Sequence, residues 1–327
     1  MAASPHAKTA LIIGISGQDG SYLAASLLAK GYTVHGASRD KELANFANLR
    51  ALGIEDRVGL HSATVTDFRS VVQVIRDTTP GEIYNLSAQS SVGLSFTQPV
   101  ETLDGIIFGT VTLLEAIRFL GGDIRYYSAA SSECFGVTPP DGAVETTAFA
   151  PRSPYSIAKA SAHWIVANYR EAYGLHACSG LLFNHESPLR PARYVTQKIV
   201  RGAVAIAQRR QDSLALGNLD IARDWGWAPE FVEAMWLMLQ RPQPQDLVIA
   251  TGNAATLREF TARAFARVGL DWEKYVRADE ALLRPVDLAF SCGNASRARE
   301  LLGWQASVSW DGVVDRLVDA ELARTKG

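Results

Sequence analysis

Residues 9–29 read TALIIGISGQDGSYLAASLLA, and this stretch decides the fold class. The apolar run at residues 9–14 is typical of a buried parallel strand, and a helical pattern follows at residues 22–30. Between them, Gly14, Gly17 and Gly20 permit a tight turn, the close approach of a pyrophosphate and close packing of the helix on the strand. The start of such a helix offers N–H groups and a partial positive charge to a phosphate. The stretch therefore predicts a dinucleotide-binding loop, with a purely structural turn as the alternative.

Short apolar runs alternate with helical patterns through the first half of the chain. Further strands are predicted at residues 33–37, 58–62, 83–86, 125–129 and 177–183. This alternation predicts an α/β fold, a Rossmann-like doubly wound parallel sheet with a smaller C-terminal substrate-binding lobe. We predict an NAD(P)-binding domain over residues 1–187, with a return segment at 223–251, and a substrate lobe over most of residues 188–327.

The composition excludes several other classes of protein. The chain has 327 residues, of which 47% are hydrophobic and 20% charged, and its formal net charge is −2. This balance argues against intrinsic disorder and against a nucleic-acid partner. No apolar run is long enough to cross a membrane, and the first eight residues lack the apolar core of a signal peptide. The three cysteines contain no CxxC pair, so we expect a cytoplasmic protein without a disulfide framework or a metal site.

The end of the second predicted strand bears on the choice of cofactor. It reads Ser38-Arg39-Asp40. A hydroxyl and a cation at this place fit the 2′-phosphate of NADP, whereas an acidic side chain fits the ribose of NAD. The pair Ser38 and Arg39 favours NADP, and Asp40 keeps NAD as the alternative. Arg39 could equally be a solvated surface charge.

A second cluster of residues predicts hydride-transfer chemistry. Tyr155 and Lys159 are spaced i,i+4 and share one face of a predicted helix. The lysine ammonium would lower the pKa of the phenol, which at its usual value of about 10 cannot act as a base at pH 7. Ser131 follows the strand at 125–129 and could hold a substrate oxygen. Glu133, two residues later, could remove a proton from a carbon beside a new ketone; the alternative is an ordinary loop carboxylate.

Nearly the whole chain carries segments that resemble one family. They include ALIIGISGQDGSYLA at 10–24, EIYNLSAQSSVGLSF at 82–96, SSECFG at 131–136, PRSPYSIAK at 151–159, FNHESP at 183–188 and RDWG at 223–226. These segments resemble the GDP-mannose 4,6-dehydratase family, within the extended short-chain dehydrogenase/reductase superfamily.

The resemblance implies a hydro-lyase reaction on a GDP-sugar. Tyr155 would take the proton of the 4-hydroxyl while hydride leaves carbon 4, Ser131 would orient that oxygen, and Glu133 would remove the carbon 5 proton and assist loss of the 6-hydroxyl as water. NADP, or NAD, would be tightly bound and recycled. The residues implied at the cofactor are Gly14, Gly17, Gln18, Asp19, Gly20, Ser38, Arg39, Ser87, Tyr155 and Lys159.

The resemblance also implies a set of substrate contacts. The implied residues are Ser90, Asn184, His185, Glu186, Lys198, Gly217, Asn218, Arg223, Arg284 and Asp287. Two alternatives stay open: Arg223 could pair with the adjacent Asp224, and His185 could be a core histidine. By analogy with the superfamily, helices near residues 100–120 and 158–173 would form a homodimer, with a tetramer as the alternative.

The chain departs from the family's pattern at several places. Ser131 stands where the family usually has Thr, Ser87 where it has Gly, and Asp40 where it has a second Arg. Gln197 and Trp227 replace an Arg and a His near the substrate. Three functions are therefore weighed. The first is a 4,6-dehydratase of GDP-mannose or of another GDP-sugar such as a GDP-heptose, the second a GDP-sugar epimerase or 4-reductase on the same scaffold, and the third a sugar-nucleotide or dinucleotide-binding protein without catalysis.

Overall fold

The computed structural model describes residues 8–283 and 286–326 and divides into two compact units. The first unit comprises Met1–Cys134, as far as it is described, with Pro151–Leu181 and Val232–Leu247. The second comprises Phe135–Ala150, Leu182–Phe231 and the described part of Val248–Gly327. Sequence analysis predicts that the first domain ends at residue 187 and that residues 223–251 return to it. In the structure, the first unit instead leaves off at Leu181 and resumes over Val232–Leu247.

A seven-stranded sheet organises the first unit. Its strands are β1 (Thr9–Ile13), β2 (Thr33–Ser38), β3 (Gly59–Ser62), β4 (Glu82–Asn85), β5 (Arg125–Ser131), β6 (Ala177–Leu182) and β10 (Leu247–Ile249). Their order is β10-β6-β5-β4-β1-β2-β3, and the pairs from β3 across to β5 are parallel. The strand order reverses between β1 and β4, and doubly wound sheets bind their ligands at such a switch point. The predicted fold class is confirmed by this sheet.

Helices flank the sheet and supply its apolar cover. They are α1 (Gln18–Ala29), α2 (Ala47–Ala51), α3 (Phe68–Thr78), α4 (Val92–Thr97), α5 (Pro99–Leu103), α6 (Gly109–Leu120), α7 (Pro154–Tyr173) and α9 (Ala228–Gln240). A π-helical turn, Asp104–Phe108, precedes α6. Leu11, Val71, Ile83, Leu113 and Val166 are fully buried in one shared cluster. Each such side chain contributes about 1.5–3 kcal/mol to stability, which explains why the strands read as continuous apolar runs.

The second unit has a sheet of its own. Its strands are β7 (Asn184–Glu186), β9 (Ala222–Trp227), β11 (Ala254–Thr256) and β13 (Phe290–Ser291), with β9 at the centre. A separate parallel pair is formed by β8 (Leu214–Leu216) and β12 (Val276–Ala278). The helices are α8 (Val195–Ala207), α10 (Leu257–Arg267), α11 (Ser296–Leu302) and α12 (Trp310–Lys326). Of the predicted return segment, β10 therefore lies in the seven-stranded sheet and β9 in the sheet of the second unit.

Helices α8, α10 and α12 pack together on the second unit's core. The core includes Ile199, Phe260, Phe265, Val314 and Val318, all fully buried. Across the described part of the chain, no helix combines the length and the apolar character needed to span a membrane.

Candidate active site

The glycine loop is shaped by backbone contacts that no side chain could share. Gly14 has a φ of 90°, and a Cβ there would lie 2.6 Å from the carbonyl oxygen of Leu86. A Cβ on Gly20 would lie 2.4 Å from the carbonyl oxygen of Gly14. Helix α1 begins at Gln18, four residues earlier than its apolar pattern indicates, and Gly17 at the N-cap supplies no side chain to its first N–H groups. The loop therefore fits the pyrophosphate of a dinucleotide, whose oxygens would accept from these N–H groups.

The end of β2 presents one solvated cation and one engaged carboxylate. The Arg39 guanidinium lies 4.0 Å from the Glu101 carboxylate, and both side chains are largely exposed. The Asp40 carboxylate accepts from the backbone N–H groups of Glu42 and Leu43 and so caps its own turn. Because Asp40 is used locally, Arg39 is the side chain here that remains available to a ligand.

The loop after β4 shows strain beside the glycine loop. Ser87 donates its hydroxyl to Asn85 Oδ1 at 2.6 Å, which fixes the side chain that stands where the family has glycine. The next residue, Ala88, has a φ of 76°, a conformation that costs an alanine about 1–2 kcal/mol. Such strain is often found at ligand sites. Ser90, two residues further, is exposed.

Strand β5 is two residues longer than predicted and ends at Ser131. The strand runs from Arg125 to Ser131, so the hydroxyl of Ser131 stands at a carboxyl end of the sheet. The chain then turns through Ser132–Phe135, and the Glu133 N–H donates to Ser131 Oγ at 3.3 Å. Ser131 is buried and Glu133 is half-buried. The two side chains thus belong to one short, ordered turn.

Helix α7 begins just before the catalytic tyrosine candidate and holds it rigidly. Ser153 and Ser156 form a reciprocal capping box at its start, and Pro154 occupies the first turn. These features of the SPYS segment stabilise the helix start by about 1 kcal/mol. Tyr155 and Lys159 therefore lie in the first two turns of α7, and both are almost fully buried.

The ammonium of Lys159 is held between the phenol ring and the sheet. It lies 5.9 Å from the centroid of the Tyr155 ring and donates to the carbonyl oxygen of Ala129 on β5 at 2.7 Å. Burial lowers the pKa of Lys159 from 10.5 to about 8, against the opposing effects of the Cys134 thiol and the Asp19 carboxylate. The lysine thus carries its charge at pH 7, where a neighbouring cation favours the ionised phenol.

The second unit carries most of the predicted substrate residues. Asn184, His185 and Glu186 form β7, which pairs with β9. His185 Nδ1 hydrogen-bonds the carbonyl oxygen of Phe183 at 2.7 Å, and its ring stacks on Phe231 at 4.6 Å. The Glu186 carboxylate accepts a hydrogen bond from the Thr196 hydroxyl at 2.7 Å and forms an ion pair with Arg190 Nε at 3.1 Å. Glu186 thus ties β7 to the start of α8.

Arg223 is buried and pairs with another predicted substrate residue. Its guanidinium donates to the carbonyl oxygen of Leu288 at 2.7 Å and to Asp287 Oδ1 at 2.9 Å. The adjacent Asp224 instead accepts from the N–H groups of Thr251 and Gly252 on the other side of β9. Sequence analysis left Asp224 open as the partner of Arg223. The two side chains do not pair, because successive residues of a strand point to opposite faces.

The remaining predicted residues have simple positions. Lys198 is half-buried on α8. A Cβ on Gly217 would lie 3.0 Å from the carbonyl oxygen of Leu282, and Asn218 Oδ1 accepts from the Asp220 N–H at 2.9 Å. Arg284 lies outside the described residues. Within the described ranges, no group of three or more His, Cys, Asp or Glu side chains could hold a metal ion.

Sequence reasoning missed residues that hold the site in place. Arg190 binds the carboxylate of Glu186, and the i,i+4 spacing of the two was a usable signal. Asp224 is fully buried in a strand, and a charged residue inside the segment ARDWGW could have indicated a structural role. The carbonyl of Ala129, which holds Lys159, leaves no signal in a side-chain pattern.

The chain is similar to known proteins over nearly its whole length. Residues 11–317 match the family model described as GDP-mannose 4,6 dehydratase. The chain is 46% identical over 329 residues to GDP-mannose 4,6 dehydratase 2 of Arabidopsis thaliana, covering 98% of this chain and 88% of that protein. It is 42% identical over 344 residues to the GDP-mannose 4,6-dehydratase of Sinorhizobium fredii, covering 98% of each. The solved structure of dTDP-glucose 4,6-dehydratase from Bacillus anthracis in complex with NAD matches with a TM-score of 0.84 at 20% identity, over 97% of each chain; this likeness shows the fold.

Proposed function

Because this chain belongs to the GDP-mannose 4,6-dehydratase family, we propose that it is a hydro-lyase that converts GDP-mannose to GDP-4-keto-6-deoxymannose. The observation that carries the proposal is the joint presence of Ser131 and Glu133 on one turn of the first unit and of Tyr155 and Lys159 on α7. Ser131, Tyr155 and Lys159 alone would be sufficient for the hydride transfer of a reductase. The added carboxylate suits an elimination, which needs a base for a carbon acid.

In the proposed reaction the chain's residues move protons. The Tyr155 phenolate accepts the proton of the sugar's 4-hydroxyl as carbon 4 loses hydride, and Ser131 donates a hydrogen bond to that oxygen. The resulting ketone acidifies the carbon 5 proton. Glu133 removes this proton and returns it to the departing 6-hydroxyl, which leaves as water. A nicotinamide dinucleotide held by the glycine loop, Tyr155 and Lys159 would supply the acceptor for the carbon 4 hydride and its donor to carbon 6, so no external oxidant would be consumed. Carbon 5 would then regain a proton from solvent.

For the cofactor we infer NADP rather than NAD. Arg39 is exposed with its guanidinium available, while the Asp40 carboxylate is engaged by the backbone of its own turn. A 2′-phosphate would gain a charge-assisted hydrogen bond from Arg39.

For the GDP-sugar we propose contacts from the second unit. Lys198 and Arg223 would hold the diphosphate, and Asn218, Arg284 and Asp287 the guanosine. Asn184, His185 and Glu186 lie together on β7 and would flank the sugar, Glu186 by positioning Arg190. The main support is that buried Arg223 and half-buried Asp287 already form a fixed pair.

We further propose a cytosolic homodimer. Large apolar side chains on and beside α6 and α7 are exposed, namely Phe108, Phe119, Ile157, Trp164 and Tyr173. Exposed apolar patches of this kind mark association surfaces. The three cysteines are free and buried, as is usual in a reducing compartment.

The proposed activity is tested by incubating the purified protein with GDP-mannose in heavy water without added cofactor. We expect the product to have lost one water and gained one solvent deuterium, at carbon 5, by mass spectrometry and NMR. Tyr155→Phe is the matched control and should leave the substrate intact. Unchanged GDP-mannose in the presence of demonstrably bound cofactor would count against this substrate and favour another GDP-sugar.

A further inference from the structure

An open groove of about 330 Å³ lies in the second unit, between α8, the segment that leads into β8 and the C-terminal turns of α12. One face of α8 forms its wall, with Lys198, Arg201 and Ala205 at helical spacing. Gly202 lets α8 approach β8 closely, since a Cβ there would lie 2.9 Å from the Leu214 side chain. The volume is at the lower end of the range for small-molecule sites, about 300–1,000 Å³.

The charge in this groove is strongly one-sided. Four cationic side chains line it, Lys198, Arg201, Arg210 and Arg324, against the single carboxylate of Glu321. That carboxylate is buried and already accepts two hydrogen bonds from Arg324, at 2.8 and 2.6 Å. No described carboxylate forms an ion pair with Lys198, Arg201 or Arg210. The groove therefore carries an excess of positive charge on a chain whose formal net charge is −2.

Two of these arginines are arranged as binding groups rather than as loose surface charges. Arg210 donates through Nε and Nη2 to Gln208 Oε1, and Gln208 in turn donates to the Thr325 hydroxyl at 2.9 Å. A neutral partner fixes this guanidinium and leaves its charge uncompensated. The Nε of Arg201 is buried, and within the described residues it has no hydrogen-bond acceptor. Buried donors nearly always have a partner, so Arg201 lacks an acceptor that a ligand could supply.

We propose that this groove binds a phosphorylated small molecule through Arg201 and Arg210. Guanidinium groups match phosphate oxygens in geometry and charge, and a concave surface of one sign concentrates the opposite charge. The proposal does not depend on the proposed activity. Lys198, which we assign to the substrate's diphosphate, also lines the groove; the two arginines define the new site.

Inorganic pyrophosphate is the probe, titrated calorimetrically into the holoenzyme at low salt. With GDP saturating the proposed substrate site, we expect one binding event that Arg201→Gln and Arg210→Gln each weaken by roughly tenfold, the usual effect of losing a charge-assisted hydrogen bond. Arg297→Gln is the matched control, because it removes a positive charge from an exposed position of the same unit outside the groove. It should leave the affinity unchanged.

The KM for GDP-mannose separates this groove from the substrate site. We expect both groove variants to keep the KM and kcat of the unmodified enzyme. Pyrophosphate affinity that is the same in the groove variants and in Arg297→Gln overturns the proposal. A KM that rises in step with the loss of pyrophosphate binding also overturns it, because the groove would then be part of the substrate site.

Discussion

The pKa of Lys159 sets an upper pH limit for the proposed reaction. Its value of about 8 means that the ammonium is present in about 90% of molecules at pH 7 and in about 10% at pH 9. Since this ammonium is the cation that favours the Tyr155 phenolate, we expect kcat/KM to fall about tenfold for each pH unit above 8. Initial rates of GDP-mannose consumption between pH 6 and 10 measure this decline.

Lys159→Arg assigns the decline to this residue. An arginine keeps its charge at every pH of the assay, although its guanidinium does not occupy the same place and the absolute rate should be lower. The normalised profile of the variant should therefore lack the fall above pH 8. A fall at the same pH in Lys159→Arg refutes the assignment.

Lys159→Met checks the same pKa without using activity. A pKa lowered from 10.5 to about 8 corresponds to about 3 kcal/mol of unfavourable burial at pH 7. Between these two pKa values the unfolded chain holds a proton that the folded chain has released, so stability rises with pH in this window. The free energy of unfolding of the unmodified protein, minus that of Lys159→Met, should thus increase by about 3 kcal/mol from pH 7 to 10.5. Urea denaturation of the cofactor-free proteins measures it, and a difference independent of pH contradicts the low pKa.

Other predictions concern single residues of the proposed site and surface. Glu133→Gln should retain bound cofactor and lower dehydration by about 10²–10⁴-fold, because the amide cannot remove the carbon 5 proton; undiminished water loss means that another base acts. Tyr155→Phe should reduce hydride transfer by at least about 10²-fold, measured with 4-deuterated GDP-mannose, and retained transfer excludes the phenol as base. Arg39→Ala should weaken NADP by about tenfold and leave NAD unchanged, whereas equal effects on both make Arg39 a surface charge only. Trp164→Glu should convert the dimer to monomers in sedimentation velocity; an unchanged dimer places the interface elsewhere.

The first unit could be predicted from sequence because its signals are local. The strand, glycine loop and helix of residues 9–29 follow one another directly, and the α7 start is written in adjacent residues, Ser153 to Ser156. The length of β5 was underestimated, because Ser131 is buried although its side chain is polar. A polar residue at the end of a strand interrupts the apolar pattern. The last residues of β5, which lead into the site, were therefore not recognised as part of the strand.

The second unit was less predictable for two reasons. Its strands are two to six residues long and pair over long sequence distances, as when β13 (Phe290–Ser291) pairs with β9. Such segments are too short to show a period. Helices α8 and α12 do show a helical period. In α12 the buried residues Val313, Val314, Leu317 and Val318 follow it, so this helix could have been predicted from sequence. The pairing of Arg223 with Asp287 depends on how the second unit folds, so it could not be predicted from sequence.

In the proposed reaction, Arg223 and Lys198 contribute differently to recognition of the diphosphate. Two carbonyl oxygens and Asp287 fix the Arg223 guanidinium before any substrate arrives, so little side-chain entropy is lost on binding. The same carboxylate compensates much of its charge. Lys198 is half-buried on α8 and has no ion-pair partner in the described ranges. Arg223 is therefore suited to orient the diphosphate through directed hydrogen bonds, while Lys198 supplies the uncompensated positive charge that draws the diphosphate in.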